Sequence, residues 1–248
     1  MDISTGISYL LRVLCGAFFL MHLSPSSADF HGTLTATTNN TQRWYSKNNN
    51  NFALLANLDY EHKSGFYVGS SASNIDFEAN EIENEAAHVE IMPYAGWSFS
   101  LPNQMRLDAQ WTGYIYDGNV FGHPADYNEF YLFLHYRDLI TGRISVAEDY
   151  YGLGSYAIDY ALTGRYPITD ALQFSATFGY AQTQAALGSD YPYWDIGLAY
   201  SYKFLTLSIH YLDASETFID PVVSEEKHAL FDPPVLDSAF VFSISAGF

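Results

Sequence analysis

The stretch FVFSISAGF, Phe240–Phe248, decides the fold. Phe240, Phe242, Ile244, Ala246 and Phe248 alternate with Val241, Ser243, Ser245 and Gly247. Successive side chains of a strand point to opposite faces, so this pattern makes one apolar face and one small or polar face. The same alternation recurs upstream. Leu172, Phe174, Ala176, Phe178 and Tyr180 oppose Gln173, Ser175, Thr177 and Gly179. Trp194, Ile196, Leu198, Tyr200 and Tyr202 oppose Asp195, Gly197, Ala199, Ser201 and Lys203, and Leu205, Leu207, Ile209 and Tyr211 oppose Thr206, Ser208 and His210. Segments 104–117 and 155–166 behave alike. Twelve segments of about ten residues emerge: 30–44, 51–61, 65–75, 88–100, 104–117, 126–137, 141–150, 155–166, 171–182, 190–203, 204–213 and 237–248.

A soluble β-sandwich alternates too, so the connections matter. Long links near 45–50, 76–87, 118–125, 151–154, 183–189 and 214–236 take turns with short ones near 62–64, 101–103, 138–140, 167–170 and Lys203-Phe204. Outer-membrane barrels have an even number of antiparallel strands, short periplasmic turns and longer outer loops. The expected fold is therefore all-β: a transmembrane antiparallel up-and-down β-barrel of about 12 strands, with both termini on the periplasmic side. Aromatic residues are abundant, with 21 Tyr and 18 Phe. Tyr150, Tyr151, Tyr156, Tyr191, Tyr193 and Trp194 fall near outer strand ends. Phe66, Trp97, Phe99, Tyr166, Tyr200 and Tyr202 fall near inner ones. Two interfacial girdles are the reading this supports.

Residues 1–28 read as a cleaved signal peptide: Arg12, the apolar run Val13–Met21, and Ser26-Ser27-Ala28 before Asp29. That run is too short to span about 30 Å of hydrocarbon. Residues 29–248 then form a single barrel domain containing no cysteine, so an exported chain of this size needs a source of stability other than disulfides. A closed barrel supplies one, because no strand edge is left unpaired. The net charge of −18 argues against a nucleic-acid partner, which requires a basic face.

The polar register places Glu90, Arg106, Asp108, Gln110, Glu129, Arg143, Asp159, Arg165, Asp195, Lys203, Ser208 and His210 as candidate lumen-lining residues. Lys63, Arg106, Arg137, Arg143, Arg165 and Lys203 fall toward the periplasmic end, and only Arg43, Lys47 and Lys227 near the outer end. The outer links carry mostly acids, which predicts a mouth with a mild preference for cations or neutral solutes, although plain solvation of exposed loops explains the acids at least as well. The acidic run Asp76–Glu85 could hold calcium, although a solvated loop explains it as well. Ser208 and His210 share one face and could pair as nucleophile and base. A polar lumen explains them without chemistry, and there is no GxSxG, HExxH, CxxC or phosphate-binding glycine loop. No catalytic residue, cofactor or metal is expected.

The segments SGFYVGSSASNIDF (Ser64–Phe77), DYNEFYLFLHY (Asp126–Tyr136) and SVAEDYYG (Ser145–Gly152) occur in an order and spacing that resembles the TorF-family porins. These are also catalogued as Gcw_chp, a proteobacterial family of unknown function. The likeness extends to the leader and the closing Phe248. It loosens at TTNNTQRWYS (Thr37–Ser46) and at the long link 214–236. It implies an outer-membrane porin but no catalytic residue and no established substrate. The terminal strand likewise resembles the carboxy-terminal signal of outer-membrane barrels. This implies the barrel assembly machinery as a partner, with outer-membrane lipid and lipopolysaccharide around the wall. The expected role is passive diffusion of small hydrophilic solutes through a narrow polar lumen with an acidic outer mouth. A non-conducting structural or surface-interaction barrel is the alternative, and a lipid enzyme or a soluble carrier comes after it.

Overall fold

The computed structural model describes residues 28–43, 45–77, 86–120, 122–214, 218–219 and 238–248. The leader, most of the acidic run 76–85 and nearly all of the link 215–237 lie outside these residues.

Twelve long strands form the molecule: β1 (Ala28–Thr37), β2 (Ala53–His62), β3 (Phe66–Asn74), β4 (Val89–Leu101), β5 (Met105–Tyr116), β6 (Tyr127–Tyr136), β7 (Ile140–Ala147), β8 (Ala157–Pro167), β9 (Leu172–Gln182), β10 (Ser189–Tyr202), β11 (Leu205–Ala214) and β12 (Ser238–Gly247). Each pairs antiparallel with the next, and β12 returns to β1. The closure runs from Thr33 opposite Gly247 to Thr37 opposite Ser243. Beyond it, Gly32 and Phe248 exchange both backbone hydrogen bonds, at 2.8 and 2.9 Å. The last residue is therefore the final rung of the wall. A side chain at Gly32 would collide with the Phe248 ring, since its Cβ would lie 2.2 Å from the ring edge.

Links alternate as expected. At one end the turns are two to four residues long, and at the other the links run from six residues upward. The link after β7 spans 148–156, longer than the four residues predicted, because β7 ends at Ala147. Two of the tight turns place successive residues at positive φ: Asn103 and Gln104, and Arg137 and Asp138. Such backbone geometry matches the twist of two-stranded hairpins.

The outward face is apolar along the whole wall. Phe178, Phe240, Leu162 and Phe130 are 57–61 % exposed, and Leu132, Ile144, Ile196, Leu198, Phe242 and Ile244 add to the same surface. Soluble monomers rarely show contiguous apolar patches above a few hundred Å², so this face is built for hydrocarbon. Exposed rings mark both rims: Phe30, Trp97, Phe99, Tyr166, Tyr202 and Phe204 at the short-turn end, and Phe52, Tyr156, Trp194 and Phe240 at the long-link end.

Four tyrosines predicted for the outer girdle point the other way. Tyr150, Tyr151, Tyr191 and Tyr193 are at most 1 % exposed and pack inside the barrel. For Tyr191 and Tyr193 the reason is parity: they sit on the opposite register from Trp194, whose face meets lipid. The first strand also departs from expectation. It stops at Thr37, not at residue 44, and the chain then folds into the lumen.

Candidate functional site

The link between β1 and β2 carries the sequence TNNTQRWYSKNNNN (Thr38–Asn51), which is polar and lacks a period. Arg43, Asn49 and Asn50 adopt positive φ, a conformation that asparagine tolerates better than most residues. These reversals fold a miniature hairpin, with Thr41–Gln42 paired to Tyr45–Ser46. Side chains satisfy its backbone. Asn40 N–H donates to Asn48 Oδ1 at 2.9 Å, and Asn50 N–H to Ser46 Oγ at 2.8 Å.

The hairpin is tied to the wall by charge. Arg43 pairs with Glu129 of β6 and donates to Ser145 Oγ of β7 at 3.2 Å. Lys47 pairs with Glu90 of β4. All four charged side chains are at most 4 % exposed. Charges taken out of water this completely are tolerated only when paired, so each pair fixes where the loop can sit. Asn40 Nδ2 reaches Ser73 Oγ of β3 at 3.1 Å, and the Tyr191 hydroxyl of β10 donates to the Arg43 carbonyl at 2.9 Å. The loop is thereby held from opposite sides of the barrel. Arg43 and Lys47, expected near an outer rim, are instead the two cations of a buried plug.

Around the plug lies a tyrosine cluster. The Tyr45 hydroxyl meets those of Tyr150 at 2.8 Å and Tyr151 at 2.5 Å. Tyr114 and Tyr127 stack with centroids 4.3 Å apart, and the Arg43 guanidinium lies 4.6 Å from the Tyr150 ring centre. Tyr151 holds φ at +54, a left-handed conformation that costs free energy in a bulky residue. The His123 Nε2 contact to its carbonyl at 2.9 Å and the surrounding rings hold it there. Burial pushes the hydroxyl pKa values of Tyr45, Tyr150 and Tyr151 above the ordinary tyrosine value. Ile75, Phe77, Val120, Ala186 and Leu187 complete this core at the long-link end.

Below the plug the lumen carries polar partners in pairs. Arg143 pairs with Asp159 on β8 and donates to the Tyr193 hydroxyl at 3.1 Å, and that hydroxyl donates to Asp159 at 2.5 Å. Tyr193 reaches across because Gly179 opposite it has no side chain: a Cβ there would lie 2.0 Å from the ring. His210 Nδ1 contacts Asp195 Oδ2 at 2.6 Å, its ring lying over Gly197 in the same way. A cavity of about 510 Å³ lies between these pairs and the plug, lined among others by Gln42, Arg43, Tyr131, Arg143, Asp159 and Asp195.

Nearer the short turns, Asp108 accepts from the Tyr67 hydroxyl at 2.5 Å, and Gln110 donates to Thr112 Oγ1 at 2.8 Å. Arg106 lies 3.5 Å from Asp138 and 3.9 Å from Asp108, with 44 % of its side chain exposed. Arg165 donates to Thr141 Oγ1 at 2.9 Å. Ser208 bonds Ser243 at 2.7 Å rather than His210, so the Ser208–His210 pair is not assembled for nucleophilic attack. Lys203 is a correction. It occupies the two-residue turn between β10 and β11 at φ +55, exposed, with its ammonium 5.3 Å from the Tyr202 ring centre. The turn ends the wall before this residue can project into the lumen. Sequence reasoning missed Tyr45, Gln42 and the role of Arg43 and Lys47. The signal available was the loss of alternation after Thr37.

A closed antiparallel barrel with an apolar outer wall and polar side chains inside is the architecture of a transmembrane β-barrel. Solved structures agree on the fold. The KdgM porin, solved in complex with disordered oligogalacturonate, superposes with a TM-score of 0.54 at 7 % identity, over 89 % of this chain and 99 % of that one. The NanC porin gives 0.50 at 10 % identity over 89 % and 99 %. The COG4313 outer membrane channel from Pseudomonas putida F1 gives 0.50 at 9 % identity over 91 % and 96 %. The chain itself belongs to the bacterial family of unknown function Gcw_chp, whose model matches residues 23–248. No curated protein matches the sequence.

Proposed function

We propose that this protein is an outer-membrane porin of the TorF type, passing small hydrophilic solutes by passive diffusion through a constricted lumen. The observation that carries the reading is the polar lumen itself: paired charges and hydroxyls surround an internal cavity beneath an inward-folded loop. Small barrels are filled completely by side chains, whereas this lumen keeps a cavity of about 510 Å³. The likeness to solved porins supports the same reading at the level of fold.

The mouth is acidic, and its acids also staple the links. Asp117 accepts from the N–H groups of His88 and Val89, Asp126 from that of Tyr116, and Asp149 from that of Gly154. Their charges favour cations or neutral solutes at the entrance. Planar-bilayer reversal potentials test this, and a preference for anions would contradict it. β12 serves as the strand read by the barrel assembly machinery, with lipid and lipopolysaccharide against the outer face. Membrane fractionation with heat-modifiable gel migration tests this placement.

A second reading, a non-conducting barrel, is favoured by the complete burial of Tyr45, Tyr150 and Tyr151 across the outer half. Liposome swelling separates the two. Swelling in small sugars or amino acids is expected for the porin, and none for the closed barrel.

A further inference from the structure

We infer that the cavity beneath the plug is a binding subsite for a neutral polyhydroxylated solute, of the sugar or sugar-alcohol class. Its access route rests on the channel reading above.

Among the described residues, four buried side-chain atoms have no hydrogen-bond partner: Gln42 Oε1, Arg43 Nη1, Arg143 Nε and Asp195 Oδ1. All four residues line this one cavity. Buried polar groups are nearly always satisfied; these four atoms are covered by their neighbours, so a guest in the cavity meets them only when the four side chains turn toward it. Two of the atoms are donors and two are acceptors. A hydroxyl both donates and accepts, which neither a carboxylate nor an ammonium does. A carboxylate placed here would satisfy the arginines but would face Asp195 and Asp159. An ammonium would satisfy Asp195 but would face Arg43 and Arg143.

The charges agree with a neutral guest. Arg43, Lys47 and Arg143 each already carry a carboxylate partner, in Glu129, Glu90 and Asp159. No uncompensated cation remains among them to select an acidic solute. The lining adds the hydroxyls of Thr35, Thr37, Ser145 and Ser243.

An aromatic track leads from the cavity toward the short-turn end. Tyr131 lines the cavity and stacks on Phe133 with centroids 5.8 Å apart and planes 5° apart. Phe133 stacks on His135 at 6.0 Å and 14°. All three stand on the lumenal register of β6, a place where a water-filled channel has no need of a phenyl ring. A pyranose has an apolar C–H face that packs on such rings and a hydroxyl edge that meets planar polar groups. The volume of about 510 Å³ lies in the range of small-molecule sites.

Calorimetric titration of the full barrel, folded in detergent micelles, tests the inference. The probes are D-glucose, D-glucuronate and D-glucosamine in mildly acidic buffer, which share a ring and differ in charge. Saturable binding of glucose, about tenfold tighter than that of either charged sugar, is expected. Asp195→Asn and Gln42→Ala should each weaken glucose by about tenfold while gel migration stays that of a folded barrel. Failure of all three sugars to bind, or tightest binding of glucuronate or glucosamine, would overturn the inference. Liposome swelling is measured in parallel. Glucose binding without swelling keeps the subsite and refutes the open channel, whereas swelling without any binding keeps the channel and refutes the subsite.

Discussion

In the outer half of the barrel, Tyr45, Tyr150, Tyr151 and Glu129 are wholly buried, and two ion pairs hold a loop across the lumen. In the half nearer the short turns, Arg106 and Arg165 are partly exposed, Ser208 bonds Ser243, and His135 bonds Thr141. Both halves are built on the same strands and the same alternation. What separates them is one aperiodic segment, residues 38–52, which turns inward at the top of β1. A barrel's wall is thus set by strand periodicity, and its permeability by whatever link folds inside it.

The largest effect should follow from removing that segment. Replacing residues 39–51 by a short turn leaves every rung of the twelve-strand ladder in place, because the loop lies outside it. Single-channel conductance should rise several-fold, and an unchanged conductance would erase the distinction between the two halves. Next in size is Glu129→Ala. It leaves Arg43 buried without its carboxylate, a loss of about 3–5 kcal/mol for a broken buried pair. The thermal midpoint of heat-modifiable migration should fall, and the channel should flicker open.

A smaller effect is expected from alkali. The Tyr45, Tyr150 and Tyr151 hydroxyls titrate above the ordinary value near 10, because burial opposes their charged form. A group with a raised folded pKa gives stability that is complete below the unfolded pKa and is lost as pH rises above it. The plug should therefore hold at neutral pH and loosen above about pH 10, seen as conductance rising with pH. A flat profile through that range would show that the cluster does not hold the plug. The smallest effect is expected at the open end. Arg106→Ala removes contacts of 3.5 and 3.9 Å from a half-exposed side chain, worth at most about 1 kcal/mol. The folded fraction should not change, while reversal potentials shift slightly toward cations.

Most of the wall was legible in the sequence. Phe240–Phe248, Leu172–Tyr180 and Trp194–Tyr202 point outward as their alternation requires, and the link lengths sorted the two ends. The plug was not legible, because a loop that folds onto polar groups needs no period. Its partners, Glu90 and Glu129, lie 43 and 86 residues away from Lys47 and Arg43. Only the register of distant strands brings them together. Lys203 misled for a different reason. It continues the polar face of β10 by parity, yet the chain reverses at that residue. Tyr191 and Tyr193 had the right parity for the interior, but their position near the strand end suggested a girdle.

The most direct test of the plug is a cross-link between the loop and the wall. Asn40 Nδ2 and Ser73 Oγ lie 3.1 Å apart, and the expected mature chain has no cysteine of its own. In intact membranes, Asn40→Cys/Ser73→Cys should be joined by a short bifunctional maleimide, detected as a shift in gel mobility. Joining should bring no increase in conductance. Two thiols alkylated separately in the folded barrel would mean that the loop lies outside the lumen, contradicting the account at its centre.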